Sequence, residues 1–338
     1  MAIMNFRESL IASWYGERKP FRWLAPLTSL YSKQAIQKRA AYLSGKKISY
    51  KAPVPIVVVG NITVGGTGKT PMILWMISFL QKHGIKVAVV SRGYGAKPPQ
   101  FPWRVLPEQS ASLVGDEPLL IVKRSQVPLV IDPNRSKAVQ LLCAEDKPDI
   151  ILSDDGLQHY ALARDLELVM IDNNRQLGNG YCLPMGPLRE PIERLKTVDA
   201  IIYNGAKHDP IEGFAMQLEP IELINLASGE RQPLTYLAKG QTINAVAGIG
   251  NPQRFFNTLQ HLGWQVLPLP FADHTQYSKA TLNFANHYPV LMTEKDAVKC
   301  QAFAKSNWWY LKVESIPSAA FVKWFEQKIT ELLPQKCL

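Results

Sequence analysis

One passage of this 338-residue chain limits the possible folds more than any other. A short apolar run at residues 54–59 is followed by a glycine-rich loop at 60–70 and by an apolar helical pattern at 72–80. The β-branched run is typical of a buried parallel strand. Glycines between a strand and a helix let backbone N–H groups point at phosphate oxygens, and the helix N-terminus adds its positive dipole. The order strand, glycine loop, Lys-Thr and helix predicts a P-loop that binds a nucleoside triphosphate.

The loop supplies the predicted nucleotide-binding residues. They are Thr63, Val64, Gly65, Gly66, Thr67, Gly68, Lys69 and Thr70. Lys69 is expected to reach the β- and γ-phosphates, and the hydroxyl of Thr70 is expected to coordinate Mg²⁺. The usual spacing has glycine where this chain has Thr63, so the loop is closer to the Gly-Gly-x-Gly-Lys-Thr variant of a subset of P-loop proteins.

Further apolar runs, separated by helical patterns, predict the rest of a sheet. The predicted strands are residues 86–90, 128–131, 149–153, 166–171 and 198–202. Strands that alternate with helices indicate a parallel sheet covered on both faces, with the ligand at the carboxyl ends of the strands. Asp154 and Asp155 directly follow one of these strands. Because a P-loop fold completes its Mg²⁺ site with an aspartate at such a strand end, both are candidate metal ligands.

The chain beyond about residue 235 has the pattern of a second α/β unit. Its predicted strands are residues 241–247, 264–269, 290–293 and 308–313, and its predicted helices are residues 253–262, 279–286 and 318–333. The predicted fold class is therefore α/β. It comprises a P-loop NTPase-type parallel sheet domain with helices on both faces (51–235), a smaller C-terminal α/β domain (236–338) and an N-terminal basic amphipathic helical segment (1–50).

The net charge of +10 is concentrated near the N-terminus. Residues 1–51 contain ten basic and two acidic side chains, a net charge of +8. Helical patterns at residues 6–14 and 26–43 carry apolar stripes, and the aromatic residues Trp14, Tyr15, Trp23 and Tyr31 suit a lipid headgroup boundary. These features favour a peripheral anchor on an anionic membrane. Two alternatives stay open: the stripes pack only on the protein body, or the basic patch binds nucleic-acid phosphates.

Other sequence features exclude several classes of protein. No apolar run approaches the roughly 18 residues of a membrane-spanning helix. Arg7 and Glu8 stand where a signal peptide would have its apolar stretch, so secretion is not expected. The four cysteines have no paired spacing, which is typical of reduced cytosolic thiols rather than of disulfides or a zinc site.

Three polar clusters remain without a role from the P-loop alone. Asp116 and Glu117 are either helix-capping acids or a base and a metal ligand. His274 lies in a loop between Asp273 and Thr275, and the proline-rich stretch 183–190 ends in Arg-Glu. Residues 293–296, Thr-Glu-Lys-Asp, have the wrong order for a guanine-reading motif, which weighs against a GTPase.

Taken in order, these clusters resemble one family. They are VGNITVGGTGKTP (59–71), SRGYG (91–95), GDEP (115–118), DDGLQH (154–159), PMGPLRE (184–190), AGIGNPQRF (247–255), FADHTQY (271–277) and MTEKDAVK (292–299). The chain resembles the lipid A 4'-kinases, also called tetraacyldisaccharide 4'-kinases, over almost its whole length. The resemblance implies ATP-dependent phosphorylation of the 4'-hydroxyl of a tetraacyldisaccharide 1-phosphate in lipid A biosynthesis. It also implies a peripheral position on the cytoplasmic face of the Gram-negative inner membrane.

The resemblance also implies roles for particular residues. Asp116 is expected to be the base near the attacking hydroxyl, His274 to tune it from the C-terminal domain, and Lys69 to act with them in catalysis. Metal-binding is expected from Thr70, Glu117, Asp154 and Asp155, and substrate binding from Arg92, Gln158, His159, Arg189 and Glu190. Either arginine suits a substrate phosphate. Because Asp116 and His274 fall in different predicted domains, we expect closure to assemble the site.

The expected partners follow from the same resemblance. They are ATP with Mg²⁺, an acylated disaccharide lipid and an anionic membrane surface; no nucleic acid is expected, and a monomer is favoured. The alternative function is a P-loop switch ATPase of the partitioning or metal-delivery type, in which nothing is phosphorylated. That class usually has a lysine shortly before the paired glycines, where this chain has Val64.

Overall fold

The structure, a computed structural model, describes residues 6–16 and 18–336 of the chain. Part of the basic N-terminal segment and Cys337 lie outside the described residues. The α-helices within them are α1 (Phe6–Trp14), α2 (Ala25–Leu43), α3 (Lys69–Lys82), α4 (Ala111–Val114), α5 (Asp116–Ser125), α6 (Arg135–Glu145), α7 (Pro252–His261), α8 (Glu294–Cys300) and α9 (Ala319–Leu332).

The strands of the described residues form one sheet. They are β1 (Ile56–Gly60), β2 (Val87–Ser91), β3 (Trp103–Arg104), β4 (Leu129–Ile131), β5 (Ile150–Asp154), β6 (Leu166–Asp172), β7 (Ala200–Asn204), β8 (Phe214–Asn225), β9 (Arg231–Pro233), β10 (Thr242–Ala247), β11 (Gln265–Pro270), β12 (Val290–Thr293) and β13 (Trp308–Pro317). Their order is β11-β10-β12-β13-β8-β7-β6-β1-β5-β2-β4-β3, with β9 beside β8. Neighbouring strands are parallel except in the pairs β3–β4, β8–β9 and β8–β13.

The central strand β1 shows why the apolar runs are continuous rather than alternating. Val57 and Val59 contribute to one buried core, and Ile56 and Val58 contribute to another. Successive side chains of a strand point to opposite faces, so both faces of this sheet are covered. Helices α3, α5 and α9 supply one of these cores and α6 supplies the other, which confirms the predicted covering of the sheet.

Helix α9 packs on the first part of the chain. Phe321 and Phe325 lie 5.6 and 5.8 Å from Trp75 of α3 between ring centroids, in the same core as the P-loop helix. The sequence pattern assigns residues 319–332 to the predicted C-terminal domain. The apolar stripe of this helix, however, packs on the predicted P-loop domain. The sheet also runs on through β8 and β13 across the predicted boundary. The domain limits themselves stay a prediction.

The helix predicted at residues 279–286 is wrong. The structure has turns there, followed by β12. Only Leu282 of this segment is buried, and Asn286 is held by a side-chain hydrogen bond with Asn244 of β10. A segment with so few buried side chains has little to stabilise an amphipathic helix.

Candidate active site

The P-loop joins β1 to α3 as the sequence predicts. Gly65 and Gly68 have φ of +104° and +92°, a backbone region that side chains rarely adopt. At Gly68 a side chain would also collide with the amide of Asn204, which donates to the carbonyl of Thr67 at 3.0 Å. The backbone therefore turns directly into the N-terminus of α3, where phosphate is best received.

Lys69 is buried at the start of α3 and is held by two groups. Its Nζ lies 3.3 Å from Oδ1 of Asn61 and 3.6 Å from Oδ1 of Asp155. The amide of Asn61 in turn donates to the carbonyl of Thr63 at 2.7 Å. The ammonium is thus fixed at the carboxyl end of the central strands. Asn61, within the loop, was not singled out from the sequence.

Asp154 and Asp155 have opposite surroundings. Asp154 is completely buried; burial and the negative charge of Glu117 raise its pKa to about 7, against the opposing charge of Lys69. Its Oδ1 has no hydrogen-bond partner. Burial would also raise the pKa of Asp155, but Lys69 and Arg189 outweigh it and hold that pKa far below its usual value. Both carboxylate oxygens of Asp155 lie 2.9 Å from Nη1 of Arg189.

The structure brings Asp116 and His274 together across 158 positions of sequence. Asp116 is the first residue of α5, and Nδ1 of His274 lies 3.2 and 3.1 Å from its two carboxylate oxygens. The ring of Tyr94 packs against the histidine in a tilted arrangement, with 4.8 Å between ring centroids. His274 itself has φ of +61°, so the loop holds it in a strained backbone conformation.

The Asp116–His274 contact changes the proton affinity of both groups. Burial alone would raise the pKa of Asp116, but the hydrogen bond from His274 and the charge of Lys295 together hold it below its usual value. The bond to Asp116 raises the pKa of His274, although burial and Lys295 oppose it. The carboxylate is therefore ionised over the physiological pH range.

Glu117, a predicted metal ligand, is engaged elsewhere. Its Oε1 accepts a hydrogen bond from Nζ of Lys295 at 2.8 Å. Within residues 6–16 and 18–336 no three His, Cys, Asp or Glu side chains gather as a metal-ion group. Of the predicted acidic ligands, Asp154 alone presents a buried oxygen without a hydrogen-bond partner in the described structure.

Most of the predicted substrate residues lie in one network beside Asp155. Gln158 donates to Glu190 at 3.0 Å and to the carbonyl of Asn61 at 3.2 Å. Glu190 is buried and also accepts the hydroxyl of Tyr160. Through Gln158, the network therefore connects the stretch that ends in Arg189 and Glu190 to Asn61 of the P-loop.

Arg92 and His159 belong to a neighbouring group of basic residues that includes two residues the sequence did not suggest, Arg135 and Lys38. Arg135 is buried, donates to the carbonyl of Asp155 at 3.1 Å, and has its pKa lowered to about 10, first by burial. Burial, and then Arg135 and Arg164, lower the pKa of His159 to about 4. Its Nε2 is buried without a partner. Lys38 of α2 donates to the carbonyl of Gln158 at 3.1 Å.

A third set of unpredicted residues ties the C-terminal part of the chain to the P-loop. Arg254 of α7 donates to Asn204 at 2.7 Å, which holds Thr67. Gly250 lies against Gly66, and a side chain at position 250 would collide with the backbone of Gly66. Gly250 and Arg254 lie in the cluster at residues 247–255 that carries part of the family resemblance, directly after a parallel strand, where ligand sites gather.

The fold and this site define a class of protein: a P-loop nucleotide-binding enzyme that also holds a buried aspartate–histidine pair. Comparison with known proteins gives the family. The family model described as Tetraacyldisaccharide-1-P 4'-kinase matches residues 20–330, and the chain belongs to this family. The predicted family, fold class and ATP-dependent tetraacyldisaccharide 4'-kinase function are confirmed, and the switch ATPase is not supported.

Two kinds of relatives are similar over nearly the whole chain. The tetraacyldisaccharide 4'-kinase of Pseudomonas entomophila (strain L48) is 60% identical over 331 residues, which cover 98% of each chain. That of Pseudomonas aeruginosa (strain LESB58) is 59% identical and covers 98% of this chain and 99% of its own. The crystal structure of the "apo" form LpxK from Aquifex aeolicus in complex with ATP superposes with a TM-score of 0.76 at 28% identity. It covers 93% of this chain and 98% of its own.

Proposed function

We propose that Asp116 and His274, beside the P-loop, carry out the transfer of the γ-phosphoryl group of ATP to the 4'-hydroxyl of a tetraacyldisaccharide 1-phosphate. One observation supports this more than any other. A buried carboxylate, held by a histidine from a distant part of the chain, lies at the N-terminus of a helix that shares its core with the P-loop helix α3. Such a carboxylate is a suitable general base for an alcohol.

Asp116 receives the proton of the sugar hydroxyl as the bond from that oxygen to phosphorus forms and the bond to the leaving ADP oxygen breaks. Phosphoryl transfer has a loose transition state, so the protein contributes mainly position and charge. The ring of His274 contacts both carboxylate oxygens and so fixes the direction in which Asp116 faces. This restriction of orientation is the main role of the histidine.

Lys69 and the loop amides bind the phosphates. The ammonium of Lys69 is buried and supported by Asn61 and Asp155, so little reorganisation is needed when negative charge develops beside it. Arg189 also forms an ion pair with Asp155 and so balances the negative charge of that carboxylate together with Lys69. These contacts support a role for Lys69 in stabilising the transition state.

The residues present fit Mg²⁺. This ion usually takes one or two protein carboxylates, with water and phosphate oxygens as the other ligands. The buried, unpartnered Oδ1 of Asp154 and its raised pKa are those of a carboxylate that a cation would stabilise. We assign Asp154 and Thr70 to the ion, with Glu117 and Asp155 in its surroundings. When bound, the ion neutralises charge on the transferred phosphate.

The group of cations around His159 suits the substrate's 1-phosphate. Lys38, Arg92 and Arg135 lie close enough to affect one another's proton affinity, and Arg92 is exposed. Burial of Arg135 and of the unpartnered His159 nitrogen is costly unless an anion compensates it. The substrate residues Gln158, Arg189 and Glu190 adjoin this group.

Helix α2 places this anion site next to a lipid-binding surface. The hydroxyl of Tyr31 donates to the carbonyl of Arg189 at 3.1 Å, and Lys38 contacts Gln158 from the same helix. A cavity of about 540 Å³ lies between α2 and residues 180–193; Ile36, Tyr181 and Ile192 are among its lining residues. An acyl chain of the substrate is the expected occupant, since the sugar phosphate would lie at its end.

The exposed apolar face of the N-terminal segment supports peripheral binding to an anionic membrane. Trp23 is 64% exposed and Leu27 and Leu30 are 54% and 55% exposed, on a segment rich in basic residues. The rings of Phe6, Phe21 and Trp23 lie 5.9–6.4 Å apart. Packing on the protein body alone would bury these side chains. No helix of the described residues is both long and apolar enough to cross a bilayer. We propose the cytoplasmic face of the inner membrane as its location.

The test is transfer of γ-labelled phosphate from ATP with Mg²⁺ to a detergent-dispersed tetraacyldisaccharide 1-phosphate. Label is expected in the lipid. Hydrolysis of ATP without labelled lipid would return the switch ATPase to consideration.

For the membrane proposal, Trp23→Ser with Leu27→Ser should reduce sedimentation with anionic vesicles several-fold. Equal sedimentation of wild type and double variant would contradict it.

A further inference from the structure

The first turn of α8 connects several parts of the site, although the sequence gave this stretch no role. The helix starts after β12, and the side chain of Thr293 accepts the N–H of Asp296 at 3.1 Å as a cap. Of the next three residues, Glu294 contacts α5, Lys295 contacts both α5 and the loop of His274, and Asp296 contacts that loop.

Lys295 contacts both sides of the Asp116–His274 pair. Its Nζ lies 2.8 Å from Oε1 of Glu117 and 3.9 Å from Oδ2 of Asp116, both on α5. The same Nζ lies 3.1 Å from Oδ1 of Asp273, the residue before His274. One ammonium group therefore joins the helix of the proposed base to the loop of the histidine, with the three donors that this geometry needs.

Asp296 holds the other end of the histidine loop. It is fully buried and accepts the hydroxyl of Tyr277 and the N–H of Gly248, each at 2.9 Å. Nζ of Lys299 lies 2.7 Å from Oδ1 of Asp296, the same oxygen that accepts the hydroxyl of Tyr277. Residues 273–277 are thus fixed at both ends by adjacent residues of one helix, with His274 between them. A loop that keeps a histidine at φ of +61° needs such external support.

We infer that Lys295 is a positioning residue for phosphoryl transfer: by joining Asp273 to the Asp116–Glu117 turn, its ammonium sets the place of His274 against the carboxylate of Asp116. This inference rests on the proposed roles of Asp116 and His274. Without the ammonium, three carboxylates face one another in a largely enclosed site, and their repulsion moves the loop away from α5.

The same two helices provide a matched control. Arg124, in the last turn of α5, forms an ion pair with Glu294 of α8 at 2.8 and 3.0 Å. Eight residues separate Arg124 from Asp116, about 12 Å along the helix. Arg124→Gln therefore weakens the contact between α5 and α8 without changing the charges around His274. It should lower the melting temperature and leave kcat within about twofold of wild type.

The test compares Lys295→Met, Lys295→Arg and Arg124→Gln in steady-state lipid phosphorylation, with thermal unfolding measured in parallel. Lys295→Met should lower kcat about 10- to 100-fold, as expected for a displaced catalytic pair, while KM for ATP changes less than about twofold. Lys295→Arg keeps the charge and should recover most of kcat. Asp273→Asn, at a partly exposed position, should lower kcat by a smaller factor and serves if Lys295→Met does not fold.

Three results would overturn the inference. The first is wild-type kcat in both Lys295→Met and Asp273→Asn. The second is an equal loss of kcat in Arg124→Gln at a similar loss of melting temperature, which would indicate general destabilisation. The third is a Lys295→Arg enzyme no more active than Lys295→Met. The Asp116→Asn variant distinguishes failure of this inference from failure of the proposed function. If Asp116→Asn is active, Asp116 is not the base. If Asp116→Asn is inactive and Lys295→Met is fully active, only the positioning role of Lys295 is wrong.

Discussion

The two sides of the active site are built in different ways. The P-loop side consists of consecutive residues between a completely buried strand and the helix that follows it. The His274 side is a loop without regular structure, held by side-chain contacts to α5 and α8. The backbone places the groups that we propose bind phosphate, whereas side chains from distant segments place the pair that we propose takes up the proton. Changes on the first side should therefore impair binding and transfer together, and changes on the second side transfer alone.

The largest effect is expected on the P-loop side. Lys69→Ala removes the buried ammonium at the start of α3 and should lower transfer about 10³-fold, with weaker ATP binding, because both ground-state and transition-state charge lose their partner. Labelled-phosphate transfer and ATP titration measure the two effects. Lys82→Ala, at the exposed end of the same helix, should change neither.

Asp116→Ala should separate the two sides. Transfer should fall about 10²- to 10³-fold because the proton of the hydroxyl loses its acceptor. ATP binding should stay within about twofold, because the P-loop residues do not contact Asp116 through any hydrogen bond or ion pair described here. Rapid-quench transfer and equilibrium ATP binding give the comparison. Near-normal turnover would show that the base is another group.

His274→Asn should have a smaller effect, about tenfold on kcat, because the histidine orients the base and does not itself receive the proton. KM for ATP should be unchanged. His287→Asn, an exposed histidine in the same connecting region, is the control and should keep full activity. If the two variants were equally active, the orienting role would have to be abandoned.

The smallest effect concerns pH and stability at His159. The folded protein keeps this histidine neutral down to about pH 4, whereas an unfolded histidine binds its proton near pH 6.5. The unfolded state therefore binds more protons between these values, so stability falls as the pH falls through this window, and His159 contributes no pH dependence above it.

In His159→Gln this contribution disappears. When the pH is lowered from 7 to 5, the melting temperature of the variant should fall by about 2–4 °C less than that of the wild type. Melting curves without ligand at both pH values measure it. His261→Gln, exposed at the end of α7, should behave like wild type. Identical pH dependence in all three proteins would contradict a buried neutral His159.

The difference between the two sides also explains what the sequence allowed us to predict. The P-loop and the parallel strands followed from local spacing and from continuous apolar runs, both of which are set by neighbours in the chain. Lys69, Asp154 and Asp155 were found because they occupy fixed offsets from predicted strands. The family resemblance added Asp116 and His274, which local patterns left ambiguous.

Contacts between distant segments were not predictable in this way. Lys295 and Arg254 lie in clusters that carry the family resemblance, but the sequence does not reveal their partners, Asp273 and Asn204 among them, because the packing of the whole fold sets these contacts. Pairing of β8 with β13 and the packing of α9 on α3 depend on tertiary contacts as well. The helix predicted at residues 279–286 rested on a local pattern, but only Leu282 of this segment is buried, so tertiary contacts do not stabilise a helix there.

The shared sheet limits how this molecule can deform during a catalytic cycle. Nine residue pairs join β8 to β13, and each hydrogen bond lost from that ladder costs about 1 kcal/mol. Pulling the two parts of the chain apart as rigid bodies would break most of this ladder at once. We therefore expect the sheet to stay rigid while residues 247–251 and the part of 271–289 beyond the contacts at Asp273 and Tyr277 move above it. Turnover then depends on how far these two segments can move rather than on a hinge between two bodies.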